Sequence, residues 1–204
     1  MNKVICIDGV VGSGKTTLAE LLEKKLNLKL YNELANQDTE ILLDKFYRDR
    51  HRWAFTMQIH FLNERFRMIK EVHKNRGGLL DRSIFGDKIF ASMLHEDGYM
   101  SREEFLTYST LLDNMLEHTQ PPLLMIYLKC SVDKAVENIQ KRGRAYELIV
   151  PRIYWERLNE KYTQWHKEYQ LSPLLAIDVD HLDILLQQDL ILEIIGDQIK
   201  KLEI

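Results

Sequence analysis

The sequence predicts an α/β fold: a five-stranded parallel sheet with helices on both faces, in three αβα layers. Two observations predict it. Five short apolar runs, at 3–8, 28–32, 78–81, 123–128 and 174–179, alternate with longer stretches of helical spacing. Such alternation builds a parallel sheet covered on both faces. The first run also leads directly into GVVGSGKTT, residues 9–17, with the spacing G-x-x-x-x-G-K-[ST]. A glycine loop between a strand and a helical stripe is the context a phosphate-binding loop requires.

The elements follow in order. After the loop, Leu18, Leu21, Leu22 and Leu26 share one helical face. The second strand ends just before Glu33. Phe55, Ile59, Leu62, Phe66 and Ile69 then give a longer stripe between residues 51 and 76, which reads as a helix packed on the core. Asn75-Arg76-Gly77-Gly78 and Gln120-Pro121-Pro122 read as helix-to-strand turns before the third and fourth strands. Residues 182–202 read as a closing amphipathic helix. No repeat, linker or low-complexity tract interrupts residues 1–204, so one domain is expected.

A chain of 204 residues can bury a sizeable core. Lys and Arg number 28 against 31 Asp and Glu, a net charge of −3, which implies neither a nucleic-acid groove nor a membrane-seeking surface. The apolar runs fall far short of the ~20 residues that span a bilayer. The first of them passes straight into the glycine loop, which argues against a signal peptide. Cys6 and Cys130 sit beside apolar runs and read as buried thiols of a reducing, cytoplasmic compartment.

Three constellations carry chemistry. In the loop, Gly9, Gly12 and Gly14 allow unusual backbone angles beside Val10, Val11, Ser13 and Thr17. Successive N–H groups and the helix N-terminus can then cradle phosphate oxygens. Lys15 supplies a point charge to the terminal phosphates, and Thr16 can put its hydroxyl on Mg²⁺. A nucleoside triphosphate is the expected ligand. A motor, switch, transporter subunit, ligase or small-molecule kinase all fit at this point. Second, LLDRSIFGDKIFA at 79–91 puts Asp81 at a strand end, where a carboxylate can assist Mg²⁺, with Arg82 and Asp87 following. Glu33 follows another strand and can face the first loop, although a helix cap explains it equally well. Third, KRGRAYE places Lys141, Arg142 and Arg144 around a glycine, then Glu147. Such cations can close over phosphates as a lid at 141–150, or simply be a solvated helix end.

Taken together, the loop at 9–17, Glu33, RWAFTMQIHFLNER at 52–65, DRSIFGD at 81–87 and RGRAYE at 142–147 resemble the deoxyribonucleoside kinases, with a P-loop kinase-like fold. The group includes deoxycytidine, deoxyguanosine and bacterial deoxyadenosine kinases, and the character is closest to the bacterial deoxyadenosine and deoxyguanosine enzymes. The resemblance implies ATP as donor, Mg²⁺, a nucleoside 5′-hydroxyl as acceptor, a role in salvage and a homodimer. It implies that Glu33 takes the 5′-proton, with Asp81 as the other candidate base, and that Arg82 orients Glu33 and the 5′-oxygen. Tyr47 and Glu147 would hold the sugar 3′-hydroxyl. Gln58, Arg65 and Asp87 would read the base edge, and one of Ile89 and Phe90 would pack on the base. Arg142 and Arg144 would be lid arginines on the phosphates. Deoxyadenosine is the expected substrate, with deoxyguanosine or deoxycytidine next. The departures are Glu33-Leu34-Ala35, where the family often has Glu-Pro-Val, and Asn138, where some members carry another lid arginine. Two other functions fit less well. A nucleoside monophosphate kinase such as a thymidylate kinase would need a site for an acceptor phosphate. A nucleotide-dependent switch of the common GTPase type would need an N-K-x-D-like base reader, which is absent.

Overall fold

The computed structural model describes residues 3–34 and 37–202. Ala35, part of the departure noted above, lies outside them. β1 (Lys3–Gly9) is buried at every position after Lys3, because it runs through the middle of the sheet. Its residues alternate between two cores: Ile5 and Ile7 join one, Val4 and Cys6 the other. That period of two, apolar on both faces, is the signature of a central parallel strand. α1 (Lys15–Leu26) buries Leu18, Ala19 and Leu22 in the first core and ends at Asn27, a left-handed cap.

β2 (Leu30–Asn32) is shorter than the run at 28–32 suggested. α2 (Gln37–Arg48) and the 25-residue α3 (Arg50–Lys74) follow. The buried face of α3 is Ala54, Met57, Gln58, Leu62, Arg65, Met68, Ile69 and Val72. The expected stripe is therefore rotated: Leu62 and Ile69 are buried, but Phe55, Ile59 and Phe66 are only partly so. The physical reason is that Gln58 and Arg65 turn inward despite their polarity.

β3 (Gly77–Asp81) takes in both glycines that the sequence pattern gives to a turn or a strand start. A short 3₁₀ turn at Ile84–Gly86 leads into α4 (Lys88–Glu96). α5 (Arg102–Leu116) starts with a capping box in which Ser101 and Glu104 satisfy each other's backbone N–H. β4 (Leu124–Lys129), α6 (Val132–Arg142), the single turn α7 (Ala145–Leu148), α8 (Arg152–Glu168) and β5 (Leu174–Asp178) complete the sheet and its first cover. α9 (Gln188–Leu202) begins later than residue 182. Residues before it form a turn because the Asp183 carboxylate accepts from the N–H groups of Leu185 and Leu186, both at 2.9 Å.

The strand order is β2-β3-β1-β4-β5, all parallel. Register aligns Asn32 with Asp81 and Asp81 with Ile7. Loops leaving these carboxyl ends therefore meet over one crevice, where open α/β sheets bind ligands. Cys6 and Cys130 are free, buried thiols, and burial pushes both above the ordinary thiol range. Among the described residues, no helix is long and apolar enough to cross a membrane.

Candidate active site

The glycine loop adopts the conformation its sequence asks for. Gly12 and Gly14 have φ of 84° and 90°, a region that L side chains rarely occupy. A Cβ at Gly14 would stand 2.6 Å from Ile184 Cδ1 in the turn before α9. The loop is clasped from α6, where Asn138 Nδ2 donates to the Gly12 carbonyl at 2.8 Å. Asn138 thus ties α6 to the loop itself. Lys15 is buried and curls back to donate to the Val10 carbonyl at 2.7 Å. Burial, then the nearby Arg82, lower its pKa to about 7, against the pull of Asp81, Asp8 and Glu33. The Thr16 hydroxyl donates to Asp81 Oδ2 at 2.5 Å.

Opposite the loop, beyond β2, Glu33 is held by two arginines. Arg65 donates to Oε2 from Nη2 at 2.5 Å and from Nε at 3.1 Å, while Arg82 Nε stands 2.9 Å from Oε1. Burial alone would raise the Glu33 pKa. The Arg65 and Arg82 guanidiniums, with Lys15 behind them, overturn that and hold it below the usual carboxylate range. Asp81 moves the other way: burial raises it, and Lys15 and the Thr16 hydroxyl only partly offset the rise. The two carboxylates of this one crevice are therefore shifted in opposite directions. Arg82 is kept cationic. Burial opposes its charge, but Tyr162, Glu33, Asp8 and Asp81 outweigh it and raise its pKa.

Arg65 spans two acids, since its Nη1 also contacts Asp87 Oδ1. Asp87 is 1 % exposed, and neither carboxylate oxygen makes a hydrogen bond of ordinary geometry among the described residues. It lies behind Arg65 and does not line the cleft. Gln58 does line it, on the buried face of α3. Phe61 packs under Arg65 at 5.0 Å and Phe90 under Arg82 at 5.2 Å. Between the two candidates for packing on the base, Phe90 forms the wall, and Ile89 belongs to the core.

Tyr47, Arg142, Arg144 and Glu147 close the cleft from the side of α2 and α7. Tyr47 stacks on Tyr146 with ring centroids 6.0 Å apart. Burial, then Tyr154 and Glu147, push its phenol well up, so it stays a donor. Both arginines pair with Glu147: Arg142 Nη2 at 2.6 Å and Arg144 Nη1 at 3.6 Å. A second cleft on the outer side of the loop lies between Ser13, Thr17, Lys134 and the turn at 182–185.

Of the expected site residues, Val11, Gly12, Lys15, Thr16, Glu33, Tyr47, Gln58, Arg65, Asp81, Arg82, Arg142, Arg144 and Glu147 share the one cleft. Ser13, Gly14 and Thr17 face the second. The sequence pattern does not point to the apolar walls Leu43, Phe46, Met57, Phe61 and Tyr154, nor to Asp8 and Tyr162 beneath Arg82. Asp8 stands in plain view as the residue before Gly9. Nothing in the sequence marks Tyr162. Its helix shows only an amphipathic pattern.

Comparison with known proteins gives independent findings. The sequence model of the family described as deoxynucleoside kinase matches residues 5–202. The chain is 37% identical to the deoxyadenosine/deoxycytidine kinase of Bacillus subtilis (strain 168), over 97% of this chain and 92% of that one. It is 34% identical to a deoxyguanosine kinase of Lactobacillus johnsonii, over 98% of this chain and 92% of that one. Among solved structures it is similar to the deoxyadenosine kinase from M. mycoides with bound dCTP. The TM-score there is 0.83 and the identity 29%, over 95% of this chain and 98% of that one.

Proposed function

Because this chain belongs to the deoxynucleoside kinase family, we propose that it transfers the γ-phosphoryl group of ATP to the 5′-hydroxyl of a deoxyribonucleoside. Deoxyadenosine is the favoured substrate, and deoxyguanosine or deoxycytidine come next. The observation that carries this reading is Glu33. It is an ionised carboxylate gripped at both oxygens by Arg65 and Arg82, in the same cleft as Lys15 and Thr16. A nucleoside offers a neutral hydroxyl to such a group. An acceptor phosphate, as in a monophosphate kinase, would have to compete with it for Arg65 and Arg82.

In this reading the triphosphate lies along Gly9–Thr17, and the donor base leaves toward the second cleft. Lys15 exchanges the Val10 carbonyl for phosphate oxygens. The residues suit Mg²⁺, which takes one or two protein oxygens beside phosphates and waters; Thr16 Oγ1 and Asp81 Oδ2 already meet at 2.5 Å. When bound, Mg²⁺ neutralises charge on the β- and γ-phosphates. Tyr47 and Glu147 take the 3′-hydroxyl. Arg142 and Arg144 then leave Glu147 for the phosphates as the lid around 141–150 closes and excludes water.

The bond from γ-phosphorus to the ADP oxygen breaks as the bond to O5′ forms. The 5′-proton passes to Glu33. Phosphoryl transfer asks chiefly for alignment and charge neutralisation, so a base of lowered pKa serves when the proton moves late. Gln58, Arg65 and, through Arg65, Asp87 read the base edge, while Phe61 and Phe90 offer aromatic faces to it. Salvage in the cytoplasm, as a homodimer, completes the reading. Exposed Leu106 on α5 is apolar surface that a second copy could cover. Thin-layer chromatography with γ-labelled ATP and a panel of nucleosides and nucleoside monophosphates tests the reaction. Label should move to deoxyadenosine, and movement only to monophosphates would overturn the assignment.

A further inference from the structure

Arg82 stands at the centre of the acceptor end in a conformation that needs support. Its φ of 74° lies in the left-handed region, uncommon for any side chain but glycine. Its backbone N–H is fixed to the Ile7 carbonyl at 2.9 Å. Its side chain points at Glu33 through Nε, and its guanidinium carbon lies over the Phe90 ring, 5.2 Å from the centroid. The group that Nη1 touches is the Tyr162 hydroxyl, which accepts its hydrogen bond. Asp8 Oδ1 is 3.9 Å away, beyond a direct hydrogen bond, and its carboxylate is already taken by Gly9 N–H, Ser83 N–H and the Ser83 hydroxyl. The other charged groups near Arg82 are Asp81, on β3, and Lys15, on α1.

Tyr162 is 1 % exposed and does not line the cleft, so it has no path to a substrate. Its ring is wedged edge-on between Phe90 and Trp165. The α8 helix that carries it is pinned on both sides of it. Asn159 Nδ2 donates to the Cys130 carbonyl at 2.6 Å, and Trp165 Nε1 to the Phe85 carbonyl at 3.2 Å. The same helix begins a few residues after α7, next to the lid arginines. A side chain locked by packing on a rigid element is what holds a reactive group to a narrow geometry.

We propose that Tyr162 is a positioning residue: its hydroxyl aims the Arg82 guanidinium at Glu33 and at the attacking 5′-oxygen, so that α8 sets the geometry of the acceptor end. The role rests on the assignment of Glu33 as the proton acceptor. Tyr162→Phe keeps the ring contacts with Phe90 and Trp165 and removes only the acceptor from Arg82. One charge-assisted hydrogen bond is lost, and kcat should fall by about 10-fold. Because no substrate contact is removed, KM for nucleoside and for ATP should stay within about threefold. The double variant Glu33→Gln/Tyr162→Phe should lose less than about twofold beyond Glu33→Gln alone, since Tyr162 acts through the same pair. The experiment is steady-state kinetics on the four enzymes of this cycle. Wild-type kcat in Tyr162→Phe beside an impaired Glu33→Gln overturns the role of Tyr162 alone. A full, additive loss in the double variant does so too, because it makes the effect one of general structure. If Glu33→Gln itself turns over normally, the base assignment fails, and the role of Tyr162 fails with it.

Discussion

Replacing Glu33 by Gln separates the chemistry of the site from its architecture. The side chain keeps its size, yet the carboxylate that accepts from Arg65 at 2.5 and 3.1 Å and stands 2.9 Å from Arg82 is lost. An amide offers one acceptor oxygen and turns an N–H₂ toward the other guanidinium. Removing one partner of a buried ion pair costs about 3–5 kcal/mol. Here both arginines keep other partners, Asp87 for Arg65 and Tyr162 for Arg82, so the lower end, about 3 kcal/mol, is expected. General-base loss should lower kcat by ~10²–10⁴. Nucleoside affinity should change much less, because Tyr47, Glu147 and Gln58 are untouched. The acid limb of stability gives an independent reading. Glu33 has a folded pKa below its unfolded value of about 4.3. Its contribution is therefore fully present above that value and is lost as pH falls through the lower folded value. The variant should start less stable at neutral pH and lose less on acidification through this window. Coupled-assay kcat, calorimetric nucleoside binding and urea midpoints against pH measure the three effects. A kcat within about threefold of wild type would refute the reasoning. So would a larger kcat loss in Asp81→Asn at saturating Mg²⁺, which moves the base to Asp81.

Three other outcomes are expected. Lys15→Ala should lose ~10²–10⁴ in kcat with the fold intact, read by turnover and circular dichroism, because a full charge leaves the transferring group. A 2′,3′-dideoxynucleoside leaves Tyr47 and Glu147 without a partner, at about 1–3 kcal/mol. Equal kcat/KM for deoxy and dideoxy substrates would remove both residues from the sugar site. Thymidine should fall at least ~10²-fold below deoxyadenosine in kcat/KM, since Gln58 and the Arg65 that Asp87 holds in place would meet thymine's ring N–H and carbonyls where adenine has an amine and ring acceptors. Asp87→Ala should narrow that gap without abolishing transfer, and thymidine as the best wild-type substrate would sink the assignment.

Much of the site is legible in the amino-acid sequence, for reasons that differ by residue. The loop and its helix follow from glycine angles and a charge at fixed spacing, so they are legible locally. Glu33 and Asp81 sit at strand ends, and the sheet's register brings Asn32 and Asp81 side by side. Gln58 and Arg65 are legible only through the resemblance. On hydrophobicity alone they contradict the buried face of α3 that they occupy, and that is why the apolar stripe misplaces this face. The helix expected from 182 starts late for a related reason. Leu185 and Leu186 are apolar but exposed, in a turn fixed by the Asp183 carboxylate. The pairing of Arg142 and Arg144 with Glu147 is also hidden in the sequence, because it depends on how α6 and α7 fold back on each other. Tyr162 carries no sequence signal at all, since its importance lies wholly in what it meets across the fold.

The most direct test of phosphoryl transfer to a 5′-hydroxyl is a ³¹P NMR spectrum of the product formed from ATP and deoxyadenosine. Transfer to O5′ predicts ADP and a single new phosphomonoester resonance, coupled to the two 5′-methylene protons of the sugar. A monoester coupled to the 3′-proton, or inorganic phosphate alone, would contradict it.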